Sequence, residues 1–270
     1  MKQEIKPVSK SDINIKELFL YKELLFMLSY RDFKIKYAQT FLGFSWAFIQ
    51  PLFTLLIFIF IFNKTLHVQT GAIPYPIFAL SGLVAWSFFV NVVSQTGSSL
   101  VNSSSLITKI YFPRLIIPIS KMFVGFVDFA IAILFLIALM VYYQFVPSLN
   151  ILFLPLFIGL LVLLSTAVGI LVSALSIRYR DIQYIIPFVM QIGMYITPIA
   201  FPVNLIPIRY KMLYYLNPIA GLIEGFRWCI IGESPLDTRL VAFTILFTLT
   251  IIFISIRYFN KVGSEIADLI

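Results

Sequence analysis

Charged side chains fall in clusters along this chain and leave long stretches without any, among them residues 37–63, 65–108 and 129–177, of 27, 44 and 49 residues. A membrane crossing takes about 20 apolar residues, each rising roughly 1.5 Å through a hydrocarbon core of about 30 Å. The first stretch therefore holds one crossing and the third must hold two. Six spans fit the pattern, near residues 41–63, 77–100, 121–143, 152–176, 184–202 and 240–257. The turn 145–151, with Pro147 and Asn150, is long enough to reverse the chain between spans three and four. The predicted fold is all-α integral membrane, with six transmembrane helices per subunit.

Two further segments follow neither the span pattern nor that of a simple loop. Ile15, Leu18, Phe19, Leu24, Leu25 and Leu28 recur near helical spacing, while Lys16, Glu17, Lys22 and Glu23 take other faces. This predicts an N-terminal interfacial amphipathic helix within residues 1–36, lying in the inner membrane surface. Residues 203–237 are too apolar for a free loop and are broken by Pro207, Pro218, Gly221, Gly225 and Gly232. They predict short re-entrant helices in the outer leaflet, packed on protein so that broken backbone does not face lipid. Residues 37–257 then form one transmembrane domain, and 258–270 a tail. Ser165, Gly169 and Ser173 form a row of small residues on span four, suited equally to packing within the subunit and to a dimer contact.

Composition removes whole classes of function. With 60% hydrophobic residues, 12% charged and a mean hydropathy of +0.98, a water-soluble protein is excluded. The net charge of +8 is a topology signal. With the N-terminus inside, 15 of the 20 Lys and Arg residues lie on the cytoplasmic side, so both termini are predicted cytoplasmic and no nucleic acid is expected as a partner. The stretch after Met1 is charged and lacks an apolar run, so a cleaved leader is not expected. A single cysteine, Cys229, and a single histidine, His67, leave no basis for an internal disulfide or a metal site.

Motifs for chemistry are missing from the sequence: there is no G-x-x-x-x-G-K-[ST] phosphate loop, no H-E-x-x-H and no serine elbow. An enzyme is not expected. Asp128 lies seven residues after Lys121 on the same helical face, about 10 Å away along the axis. It reads as a structural residue, facing the bundle or snorkelling to the interface, with ion coupling as the minority alternative. Glu224 and Arg227, three apart, read as a local ion pair. Most of the 28 Phe residues face lipid or core, and Tyr37, Tyr75, Tyr142 and Tyr143 suit interfacial anchoring. The segment Val101, Asn102, Ser103, Ser104, Ser105, Leu106 to Lys109 is rich in hydroxyls, and Pro113 and Pro118 stop any helix from running on. Within the cytoplasmic loop 101–118, it reads as a docking surface for a cytoplasmic partner.

The chain resembles the membrane subunit of type-2 ABC exporters for surface polysaccharides, the O-antigen, teichoic-acid and capsule permeases. The matching pieces run in family order: residues 31–37, 40–43, Trp46, Gln50-Pro51-Leu52, 109–114, 178–181, Thr197-Pro198, Leu216-Asn217-Pro218 and Gly225-Phe226-Arg227. The resemblance implies a homodimer in the bacterial cytoplasmic (inner) membrane, joined to two copies of a separate ABC ATPase that binds the ATP and Mg. This chain would carry no cofactor of its own. It implies ATPase coupling through the 101–109 segment, and a polyprenyl-diphosphate-linked polysaccharide, with O-antigen foremost, as cargo. It also implies an aromatic-lined sugar path, carried here to Tyr37, Phe41, Trp46, Trp86 and Tyr195. The alternatives are a drug or small-lipid ABC exporter and, behind it, a membrane enzyme acting on polyprenyl-linked glycans, for which Arg178, Arg180 and Asp181 are the compact charged group.

Overall fold

The computed structural model describes residues 15–38, 43–210, 214, 216–232 and 236–263, and every regular element among them is helical. In chain order these are α1 (Ile15–Leu20), α2 (Lys22–Tyr37), α3 (Ser45–Phe58), α4 (Tyr75–Asn102) and α5 (Ser104–Ile107). There follow α6 (Ile116–Tyr142), α7 (Leu154–Arg178), α8 (Ile182–Ile196), α9 (Pro218–Ile230) and α10 (Thr238–Gly263). α3 continues as a π-helical stretch, Ile59–Thr65, and α7 is entered through a 3-10 turn, Leu149–Phe153.

Five stretches are long and apolar enough to cross a membrane: Ser45–Thr65, Tyr75–Asn102, Ile116–Tyr142, Leu149–Arg178 and Thr238–Val262. Where a fifth span was expected near 184–202, α8 has 15 residues. Its rise of about 22 Å is shorter than a hydrocarbon core of about 30 Å. The chain beyond it, residues 197–202, is irregular backbone.

Local sequence explains the boundaries. Pro76, Pro155 and Pro218 sit in the first turns of α4, α7 and α9, where a missing N–H breaks no helical bond. Asn217 caps α9 by accepting from the Ile219 N–H at 3.1 Å. The α6–α7 hairpin falls where expected. It is tied to the end of α9 by the Ser148 N–H, which donates to the Ile230 carbonyl at 3.0 Å. Gly232, at φ +73°, lets the chain turn there, where a Cβ would lie 2.4 Å from Ser148 Oγ.

α4 runs through the centre and packs most extensively on α7 and α6. Its small residues set the closeness: a Cβ on Gly97 would lie 2.5 Å from Val172 Cγ1, and one on α7 Gly169 would lie 2.7 Å from Thr96 Cβ. At Gly169 the small-residue row of span four thus packs within the chain. The main core gathers Leu80, Phe88, Leu161, Leu164 and Phe226. A second cluster at the opposite end joins Leu28 of α2 to Leu100, Ile116, Ile177 and Phe259.

Of the N-terminal stripe, Leu18, Leu24 and Leu25 lean on that second cluster and Phe19 is exposed. A turn at Tyr21 separates α1 from α2, and α2 presents Phe26 and Met27 outward. In the hydroxyl-rich segment 101–109, Val101 and Asn102 close α4, Ser103 breaks the helix and is buried, Ser104, Ser105 and Leu106 with Ile107 form α5, and Lys109 follows in the exposed turn.

Candidate functional site

Apolar helices bury a polar side chain at a cost of several kcal/mol unless it finds a partner or faces water. Carboxamides and hydroxyls gathered on one wall therefore mark a wet surface. A cavity of about 580 Å³ lies between α3, α4, α6 and α8, closed at one end by the last turn of α2. Its polar wall carries Gln50, Asn91, Gln95 and Gln191 together with Thr54, Ser87 and Ser94. Ser87 is exposed, while residues 79–86 before it and Phe88 and Phe89 after it are buried, because it turns toward this space.

Aromatic rings complete the wall. Trp86 is 5% exposed and lies against Gly193 of α8, where a Cβ would come within 2.8 Å of its ring. Trp46, on the first turn of α3, is half exposed. Tyr37 stacks on Phe44 at 4.5 Å between centroids, and Phe33 packs against both, which fixes the elbow between α2 and α3. Of the five aromatic residues carried over from the resemblance, Tyr37, Trp46 and Trp86 line this one cavity. Tyr195 does not line it and stands exposed on α8, and Phe41 lies outside the described residues.

The charged group at the α2 end was only half legible. Lys121 and Asp128, two helical turns apart on α6, both face α2 and meet charges there in opposite order. Lys121 pairs with Asp32 at 2.7 Å, and Asp128 pairs with Lys36. Asp128 Oδ2 also accepts from Asn91, and its Oδ1 accepts from the Tyr37 hydroxyl. Burial, and then the carboxylate it donates to, hold the Tyr37 phenol well above its ordinary range, so it keeps its proton. Asp128 is therefore tied into the bundle by three donors.

A second polar knot lies outside this cavity, where the irregular segment 197–202 follows α8. Arg227, 4% exposed, donates to the carbonyls of Pro198 at 2.6 Å, Ile199, and Phe78 at 3.4 Å, and lies 3.7 Å over the Phe78 ring. Its ion pair with Glu224 at 3.3 Å matches the three-residue spacing. The carbonyls were beyond local pattern. Tyr75 donates to the Ala200 carbonyl at 2.9 Å and Asn217 to Thr197 Oγ1 at 3.0 Å. Irregular backbone in an apolar setting is thereby satisfied by protein. Gly82 leaves room for the guanidinium, since a Cβ there would sit 2.7 Å from Arg227 Nη2.

Sequence reasoning missed the carboxamides, although each lies inside or beside an uncharged run, where an amide is a signal in itself. Among the described residues, no group of three or more His, Cys, Asp or Glu is placed to hold a metal.

Comparison with known proteins fits this geometry. The chain is 28% identical over 264 residues to the O-antigen export system permease protein RfbA of Klebsiella pneumoniae, covering 97% of this chain and 99% of that one. A protein of the same name from Myxococcus xanthus is 25% identical over 215 residues, 79% of this chain and 82% of the relative. The polysialic acid transport protein KpsM of Escherichia coli is 24% identical over 243 residues, 88% and 92% of the two chains. The profile described as ABC-2 type transporter matches residues 23–231. With apolar helices able to cross a membrane several times and most of its length inside that match, the chain belongs to the ABC-2 type transporter family.

Proposed function

We propose that this chain is the membrane-channel subunit of an ATP-driven exporter that moves a polyprenyl-diphosphate-linked polysaccharide, O-antigen foremost, across the bacterial cytoplasmic membrane. The observation that carries this is the cavity wall: four carboxamides, three hydroxyls and two indoles on helices that are otherwise apolar. An unpaired hydroxyl in hydrocarbon costs roughly 2 to 7 kcal/mol, and each sugar carries several, so a glycan needs a lined passage. Amides bond sugar hydroxyls while indole faces cover the apolar side of a ring. Relatives named for O-antigen export and polysialic acid transport support the cargo class.

Two copies of the chain stand side by side, each with an ABC ATPase that binds the ATP and Mg. The exposed rings of α3 and α8, among them Phe53, Phe60, Phe188 and Tyr195, suit lipid on one flank and the second copy on the other. α8 with residues 197–202 makes the fifth of six crossings, α9 lies in the outer leaflet, and both termini are cytoplasmic. The exposed face of Asn102, Ser105 and Lys109 receives the ATPase, while Val101 and Leu106 pack on the inner cluster and pass its motion to α4 and α6.

Reconstitution tests the reading. Co-purified with the ATPase encoded beside it and placed in vesicles, the chain should carry a lipid-linked glycan across only when ATP is hydrolysed. A chain that purifies alone and moves the glycan without nucleotide would contradict it.

A further inference from the structure

Lys36 is the one cationic and Asp128 the one acidic side chain among the described residues lining the cavity, and each is the other's partner. The pairing is lopsided. Asp128 has three donors, with Lys36 and Asn91 on Oδ2 and Tyr37 on Oδ1. Among the described residues, the hydrogen bonds of the Lys36 ammonium go to Asp128 alone. An ammonium carries three protons, so it has capacity left. If it turned away, Asp128 would keep two donors and would not be stranded, which removes most of the usual penalty for parting a buried pair. Lys36 also sits where α2 meets the cavity, with its side chain partly exposed to that space.

Resting on the reading of this cavity as the glycan path, we propose that Lys36 is an exchangeable docking point for an oxyanion of the cargo. The incoming anion takes the ammonium from Asp128, and Tyr37 and Asn91 hold the carboxylate meanwhile. The phosphates of a polyprenyl carrier and the carboxylates of an acidic glycan share this chemistry.

The two partners of the pair then have opposite roles in binding, which a purely structural pair would not show. The full chain with its ATPase, in lipid nanodiscs without nucleotide, would be titrated with a polyprenyl diphosphate, the matching polyprenol, a neutral oligosaccharide and an oligosialic acid. Tryptophan fluorescence is the readout, with Trp46 and Trp86 on the wall and Trp228 replaced by Phe. A charged hydrogen bond gained should favour the anion whose charge docks by about tenfold over its uncharged counterpart. Lys36→Gln should abolish that preference and Lys36→Arg should keep it. Asp128→Asn should strengthen it, because the internal competitor is gone. The anion whose binding follows Lys36 identifies the source of the charge. A preference retained in Lys36→Gln, or lost equally in Lys36→Gln and Asp128→Asn, overturns the proposal while leaving the path intact. If neither polyprenol nor any glycan binds the wild-type protein, the path itself is wrong.

Discussion

α3 and α4 are both apolar enough to cross a membrane, yet 78% of the most apolar stretch of α4 is buried against 11% for Ser45–Thr65. Size of side chain separates them, since α4 carries Ala79, Ser81, Gly82, Ala85 and Gly97, which let α6, α7 and α9 approach its axis. α3 after Ala47 is mostly Phe, Leu and Ile, with Gln50, Pro51 and Thr54 on the cavity and Phe48, Phe53, Leu56 and Ile57 exposed. Apolarity alone therefore says that a helix leaves water; small residues say whether protein or lipid receives it. The packed half holds the fold, and the half around α3 and α8 leaves the cavity open.

The sharpest way to break this contrast is at Arg227, which fastens α9 and the segment after α8 to α4. Arg227→Ala leaves Glu224 and the Pro198 and Ile199 carbonyls without their donor, and removal of one partner from a buried pair costs about 3 to 5 kcal/mol. A large drop in the melting temperature of the purified protein is the expected result. A wild-type melt would mean that the outer segment is not held this way.

Much of this division was legible in the sequence, and the rest was not for a physical reason. Clustered charges place the apolar helices because lipid excludes charge everywhere along a span. The hairpin at 145–151 and the local pair of Glu224 with Arg227 follow from neighbours a few residues apart. The partners of Asp128 do not, because Lys36 and Tyr37 lie 92 and 91 residues away and no local period encodes them. The same holds for the carbonyls under Arg227, of which that of Phe78 is 149 residues distant. Span five is the instructive case: hydropathy runs on through residues 197–202, but the helix stops at Ile196 because Pro198 disfavours the helical conformation at Thr197.

A smaller effect sharpens the comparison within the packed half. A Cβ at Gly225 would lie 1.9 Å from Phe157 Cε1, a ring itself buried, whereas one at Gly159 meets nothing within 4 Å. Gly225→Ala should cost about 1 to 3 kcal/mol through overpacking. Gly159→Ala should be neutral or stabilising by up to about 1 kcal/mol, from helix propensity. Equal melts for the two variants would show that α9 does not pack against α7 as described.

The central claim, that the glycan travels through the cavity between α3, α4, α6 and α8, is tested most directly at Ser87. It is an exposed position on an otherwise buried length of α4, and the native thiol, Cys229, is fully buried, so Ser87→Cys gives a reagent one accessible target in this chain. With the variant in its exporting complex, a bulky charged thiol reagent should stop glycan export while ATP hydrolysis continues, and glycan in transit should slow the labelling. Export at an undiminished rate with position 87 fully modified would contradict the account.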